Sequence, residues 1–196
     1  MDYSILNWIN NTFGQSKAFA IISRIVTFFG SFWFLSGLVI LLLCFKKTRK
    51  IGLFVLIAGG FVALFNNFII KLIVKRERPF ATYPELKNIC VLAGKKFPKG
   101  YSMASGHASV TMSVAVAIMF FSKKWGVVAI SGSVLVGLSR LALCVHYPTD
   151  VLIGWIIGAA LSVGLHYLTI YILKLINSWR NKNEKNSISI EKSEQN

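Results

Sequence analysis

Acid is scarce in this sequence. Seven Asp and Glu stand against 22 Lys and Arg, for a net charge of +15. So few carboxylates offer no cluster from which a hard cation such as Mg2+ or Ca2+ could be caged, and no metal or other cofactor is expected. Cysteine is rarer still: Cys44, Cys90 and Cys144 match no zinc spacing, and their odd number excludes a complete disulfide framework. A Cys90–Cys144 bond is conceivable on an oxidising side, but packing or loop thiols are the simpler expectation. Only four prolines interrupt the chain, which leaves long stretches free to be helical. Neither an internal repeat nor the pattern of a secretory signal is present.

Apolar residues fill the space that charge vacates. They make up 55% of the chain, and the mean hydropathy of +0.61 is well above that of a water-soluble domain. Uncharged runs long enough to cross a hydrocarbon core occupy 25–45, 51–70, 104–121 and 151–173. A fifth run, 125–139, is short and completes a span only if its helix continues past Arg140 toward Val145. The expected fold is therefore all-α, an integral membrane helical bundle of about five transmembrane helices. Ahead of it, 1–24 mixes Ile5, Leu6, Trp8 and Ile9 with Asn and charge, as an N-terminal interfacial helix does, a sixth span being the alternative. The membrane-embedded domain then covers 25–176, and the polar tail 177–196 reads as disordered. Because the cations lie in loops between apolar spans, an anionic membrane surface or phosphate ligands explain the charge better than nucleic acid.

Three polar clusters remain, "KLIVKRERPF" (71–80), "ASGHAS" (104–109) and "SRLALCVHYPTD" (139–150). Counting crossings puts all three on the same side of the membrane. Lys71 and Arg78 are seven apart and would share a helix face, gripping an anion between them, while Pro79 biases Arg78 toward extended backbone. Lys75 and Arg76 read as cations anchoring a helix end at the headgroups. Ser105 is a plausible N-cap, and a helix starting there aims the N–H groups of Gly106 and His107 at whatever lies above it, a natural anion site. Asp150 is the one acidic residue between Glu85 and Glu184. Four residues after His146, it can hold one ring nitrogen and leave the other free to attack, and Arg140 offers a planar fork for phosphate oxygens. His166, Asn66 and Asn67 lie inside apolar spans and read as packing residues.

With these residues in view, the sequence resembles the type-2 phosphatidic acid phosphatase family, whose signature has three parts, K-x6-RP, PSGH and SR-x5-H-x3-D. Lys71, Arg78 and Pro79 supply the first, Ser105, Gly106 and His107 most of the second, and Ser139, Arg140, His146 and Asp150 the third. Ala104 stands where the family usually has proline, which should loosen the loop before the third span.

The resemblance implies that His146 attacks phosphorus to form a phosphohistidine, Asp150 orients it, and His107 protonates the leaving oxygen. It also implies that Lys71, Arg78, Ser105, Gly106 and Arg140 hold the nonbridging oxygens, without a metal. A multi-pass lipid phosphatase of the cell membrane follows, with its site on the extracytoplasmic face. The 22 cations divide evenly between the two faces, so charge alone does not orient the chain. Among relatives, the short chain looks most like undecaprenyl diphosphate phosphatases; Lys95, Lys96 and Lys99 read equally as holders of a second phosphate or as a solvated, headgroup-facing loop. A phosphatase for phosphatidic acid or phosphatidylglycerol phosphate is the alternative enzyme. A non-enzymatic anion or lipid transporter is the alternative of another class.

Overall fold

A computed structural model describes every residue except Lys95, Gln195 and Asn196, with side chains described as far as Asn183. The chain is 80% helical, and no strand occurs among the described residues. Its helices are α1 (Asp2–Phe13), α2 (Lys17–Phe28), α3 (Phe32–Cys44), α4 (Arg49–Phe65), α5 (Lys71–Val74), α6 (Pro79–Thr82), α7 (Lys87–Leu92), α8 (Gly106–Met119), α9 (Lys123–Ala142) and α10 (Pro148–Glu194). A π-helical turn, Asn66–Ile70, joins α4 to α5, and a 3-10 turn, Pro84–Leu86, precedes α7.

Four stretches are long and apolar enough to cross a membrane: Lys17–Cys44, Arg49–Thr82, Lys123–Ala142 and Pro148–Asn183. The apolar helix α8, Gly106–Met119, is shorter. This is the expected all-α membrane fold. Leu56, Ile57, Val127, Val128 and Ile156 are among many large apolar side chains left exposed, as lipid-facing positions require. By contrast, α8 buries eight of its side chains, most of them small, against its neighbours. Its central place explains how so short a helix can be accommodated.

Close helix approach is set by glycine. A Cβ at Gly158 of α10 would lie 2.1 Å from the carbonyl oxygen of Ser109 in α8, and one at Gly137 of α9 would lie 2.2 Å from the ring of Trp155. Such spacing lets helices pack on backbone where no hydrophobic force distinguishes protein from lipid. Hydroxyls tie the same contacts, with Thr111 and Ser133 at 2.8 Å and Ser162 donating to the Ser113 carbonyl at 3.1 Å.

The structure refines the sequence-based expectation at the N-terminal end. Residues 1–24 are two elements rather than one surface helix: α1, and the first part of α2, which leads into an apolar stretch that breaks at 29–31. Ser16 and Ser31 account for the helix starts, since their hydroxyls accept from the N–H groups of Phe19 and Phe34, each at 3.3 Å. The compact unit Met1–Ser162 is distinct from a second unit beginning at Val163. That second unit is helical as far as Glu194.

Gly158→Ala should lower the stability of detergent-solubilised protein by about 1–3 kcal/mol, because the clash is with backbone that cannot rotate away. A thermal melt unchanged from wild type would contradict this packing.

Candidate active site

Arg78 reaches the site through a reversal of the chain. Lys75 adopts a left-handed conformation (φ 48°) that ends α5, and Arg78 is extended (φ −81°, ψ 151°) ahead of Pro79, the first residue of α6. The extended backbone at Arg78 matches the sequence reading, but the shared helix face for Lys71 and Arg78 does not, because the helix between them stops. Arg78 is 6% exposed. It donates to the carbonyls of Gly100 (2.9 Å), Val145 (3.1 Å) and Lys99 (3.4 Å), and its Nη1 lies 3.3 Å from His146 Nε2. The lysine-rich loop thus meets Arg78 through main-chain oxygens.

A guanidinium can only donate, so His146 Nε2 must be the accepting nitrogen and the ring proton sits on Nδ1. Nδ1 faces Asp150 Oδ2 at 3.6 Å, just beyond hydrogen-bond range. Burial, more than any neighbour, pushes the His146 pKa down to about 3, with Arg140 and Arg78 adding to it and Asp150 opposing. The imidazole is therefore neutral near pH 7, with the Nε2 lone pair directed toward cations. Asp150 is itself fixed: Oδ2 accepts from the Tyr147 N–H at 2.9 Å, the backward bond of a capping box at the start of α10, where Pro148 is the first residue. Its Oδ1 accepts from Arg76 Nη1 at 2.8 Å.

The N-terminus of α8 closes against the same segment. The Ser105 N–H donates to the Asp150 carbonyl at 3.0 Å. Ser105 occupies the N-cap position, yet its hydroxyl makes no capping bond and is buried without a partner. Gly106 opens α8, and the ring of His107 packs where a Cβ on Gly30 would come within 3.1 Å of it. Arg140 is 2% exposed, and its Nε and Nη1 have no hydrogen-bond partner. Lys71 lies within electrostatic range of both Arg78 and Arg140 and donates to Asn67 Oδ1 at 2.8 Å. Two buried guanidiniums and an unused buried hydroxyl, with the half-buried Lys71 ammonium in range of both cations, are costly unless an anion joins them. Among the described residues no three His, Cys, Asp or Glu side chains gather as metal ligands, and the donors present suit an oxyanion.

Sequence reasoning missed two supporting residues. Asn66, read as packing glue, is fully buried in the π turn and donates from Nδ2 to the Ala104 carbonyl at 3.0 Å, tethering the loop that lacks the usual proline. Arg76, read as a headgroup anchor, joins Asp150 instead. Its place two residues before Arg78 was the one available hint. Cys90 and Cys144 are buried thiols, and neither is in a disulfide.

A helical membrane protein that gathers buried arginines, a histidine–carboxylate pair and a helix N-terminus in one region is the class that these features define. The chain belongs to the PAP2 superfamily, whose model matches residues 49–174. It is 37% identical over 123 residues to an undecaprenyl-diphosphatase of Sulfolobus acidocaldarius, a match covering 62% of this chain and 57% of that one. It is 28% identical over 158 residues to the undecaprenyl-diphosphatase BcrC of Bacillus subtilis, covering 78% of this chain and 76% of the relative. Little more than half the length of the first relative is thus matched. The crystal structure of a transmembrane PAP2-type phosphatidylglycerolphosphate phosphatase from Bacillus subtilis superposes with a TM-score of 0.69 at 25% identity, covering 87% of this chain and 85% of the other.

Arg140→Met should leave the ligand-free protein as stable as wild type or more so, because a buried, incompletely paired cation is replaced by an apolar chain of similar length. Wild type should melt higher in orthovanadate, and the variant should lose that shift. A retained shift would remove Arg140 from the anion site. Stability should also fall with acid in a way that His146 explains. The unfolded ring takes up a proton near 6.5 and the folded ring only near 3, so stability is lost as pH drops between those values. His146→Gln should flatten the profile there, and identical slopes in denaturant titrations would refute it.

Proposed function

We propose that this protein is a metal-independent membrane lipid phosphatase acting on undecaprenyl diphosphate through a phosphohistidine, with its site on the extracytoplasmic face of the cell membrane. The observation carrying this reading is the neutral His146, whose Nε2 lone pair points at Arg78 while Asp150 stands behind Nδ1. A phosphoryl group entering between ring and guanidinium would meet a nucleophile on one side and charge neutralisation on the other.

The reaction then divides into two displacements. In the first, Nε2 attacks phosphorus, the bond to the leaving oxygen breaks, and His107 supplies that oxygen's proton. Positive charge developing on the imidazole is balanced by Asp150. In the second, water activated by His107 attacks phosphorus, and the P–N bond breaks to release inorganic phosphate and neutral His146. Throughout, Arg78, Arg140, Lys71, the Ser105 hydroxyl and the N–H groups opening α8 at Gly106 hold the nonbridging oxygens. Phosphoryl transfer consists mainly of such positioning and neutralisation, which cations and a helix N-terminus provide here.

Membership of the PAP2 superfamily supports a lipid phosphatase, and two relatives named as undecaprenyl-diphosphatases favour the diphosphate among its substrates. A second reading, phosphatidylglycerol phosphate hydrolysis, is favoured by the name of the crystallographic neighbour. Purified protein offered both lipids should release phosphate faster from the diphosphate, and EDTA should leave the rate unchanged. Faster turnover of the glycerolipid would select the second reading. His146→Ala should lose about a thousandfold or more in kcat and all acid-labile protein-bound phosphate while still binding lipid. Unaltered hydrolysis would overturn the nucleophile assignment, and uptake of phosphate into vesicles without hydrolysis would point to a transporter.

A further inference from the structure

Among the described residues, Arg76 is the one cation near the site whose charge is shared between two acids. Its Nη1 donates to Asp150 Oδ1 at 2.8 Å and to Thr149 Oγ1 at 2.7 Å, and its Nη2 donates to Asp2 Oδ2 at 2.8 Å. Thr149 in turn donates to the same Asp2 oxygen. The guanidinium carbon sits over the Tyr147 ring, 3.8 Å from its centroid, a cation–π contact that adds to its hold between the two carboxylates. Partial burial of Asp2 would raise its pKa, but the bonds from Thr149 and Arg76 outweigh this and hold it below the ordinary carboxylate value. Asp2 is therefore an anion near pH 7.

Asp2 belongs to α1, which is docked independently of this contact. Leu6 of α1 is fully buried in one cluster with Leu86, Ile89, Cys144 and Val145, the last two being residues of the turn that carries His146. Tyr3 adds a bond to Glu85 at 3.1 Å. The carboxylate thus arrives at Arg76 from a helix whose packing fixes its position.

We propose that Asp2 is a positioning residue that acts through Arg76 to keep Asp150 negative enough to support His146. Were Arg76 paired with Asp150 alone, the full guanidinium charge would fall on a carboxylate that must attract the Nδ1 proton and balance a cationic ring. Dividing that charge with Asp2 leaves Asp150 held in place but incompletely neutralised. This inference rests on the phosphohistidine reading above and extends the machinery to an element far from the three sequence motifs.

The test measures kcat and KM on a short-chain isoprenyl diphosphate for Asp2→Asn, Asp2→Glu, Arg76→Met and the Asp2→Asn/Arg76→Met double variant. Asp2→Asn should lower kcat about tenfold with KM nearly constant, since the lost support concerns the reacting ring rather than substrate binding. Asp2→Glu should recover most of that loss. In the Arg76→Met background, Asp2→Asn should change nothing further, as two residues acting through one contact are not additive. Unchanged kcat in Asp2→Asn, or the same fold loss in both backgrounds, would overturn the proposal. So would an equal loss in Asp2→Asn and Asp2→Glu that tracks a lowered melting temperature, which would make Asp2 a fold-stabilising residue only. His146→Ala separates the two levels: if it stays active, the reading of the site fails, whereas an inactive His146→Ala beside an unaffected Asp2→Asn removes the clamp alone.

Discussion

Arg78 and Arg140 are buried at the end of an apolar helical bundle, and the arrangement around them answers the cost of keeping charge out of water. Arg78 meets that cost with backbone carbonyls of the loop 99–100 and of Val145, so its position is dictated by main chain rather than by another charge. Arg140 has no comparable set of partners. In a chain so short of acid, the natural complement for the second cation is an anion arriving from outside. The scarcity of carboxylate and the chemistry of the site are in this sense one property.

That constraint also organises the segments around the two arginines. The reversal at Lys75 turns Arg78 inward, the Ser105–Asp150 bond docks the start of α8 against the start of α10, and the capping bond to Tyr147 fixes the Asp150 carboxylate. Glycines at 137 and 158 bring α9 and α10 close enough to their neighbours for these short contacts to coexist. Bundle packing therefore determines where donors point.

The sequence displayed the spans and the motifs because both are written in local terms: long apolar runs for the former, and clustered Lys, Arg, His and Asp for the latter. His146 with Asp150 could be paired from their four-residue spacing. Arg140 could be placed in protein from its position at the end of a short apolar run. Asp2 could not be connected to the site, because no periodicity links a residue at one end of the chain to one 148 positions away, and the tie depends on how α1 packs. Lys71 and Arg78 misled for the opposite reason, since a regular spacing implied a continuous helix that Lys75 ends. Asn66 was ambiguous because an amide in a membrane span fits helix packing and loop tethering equally well.

The π turn at Asn66–Ile70 gives the second span a geometric offset. In an uninterrupted α-helix, residues 66 and 71 would point roughly 140° apart around the axis. Here the Lys71 N–H bonds back to the Asn66 carbonyl, so the five-residue step closes one wide turn and reduces that angle. A single inserted position thereby lets one helix carry both Asn66, bonded to the loop before α8, and Lys71, within electrostatic range of Arg78 and Arg140. Straightening that coil with every residue kept would rotate everything beyond it by roughly 90° relative to α4, whereas removing the one extra position would leave that direction nearly unchanged.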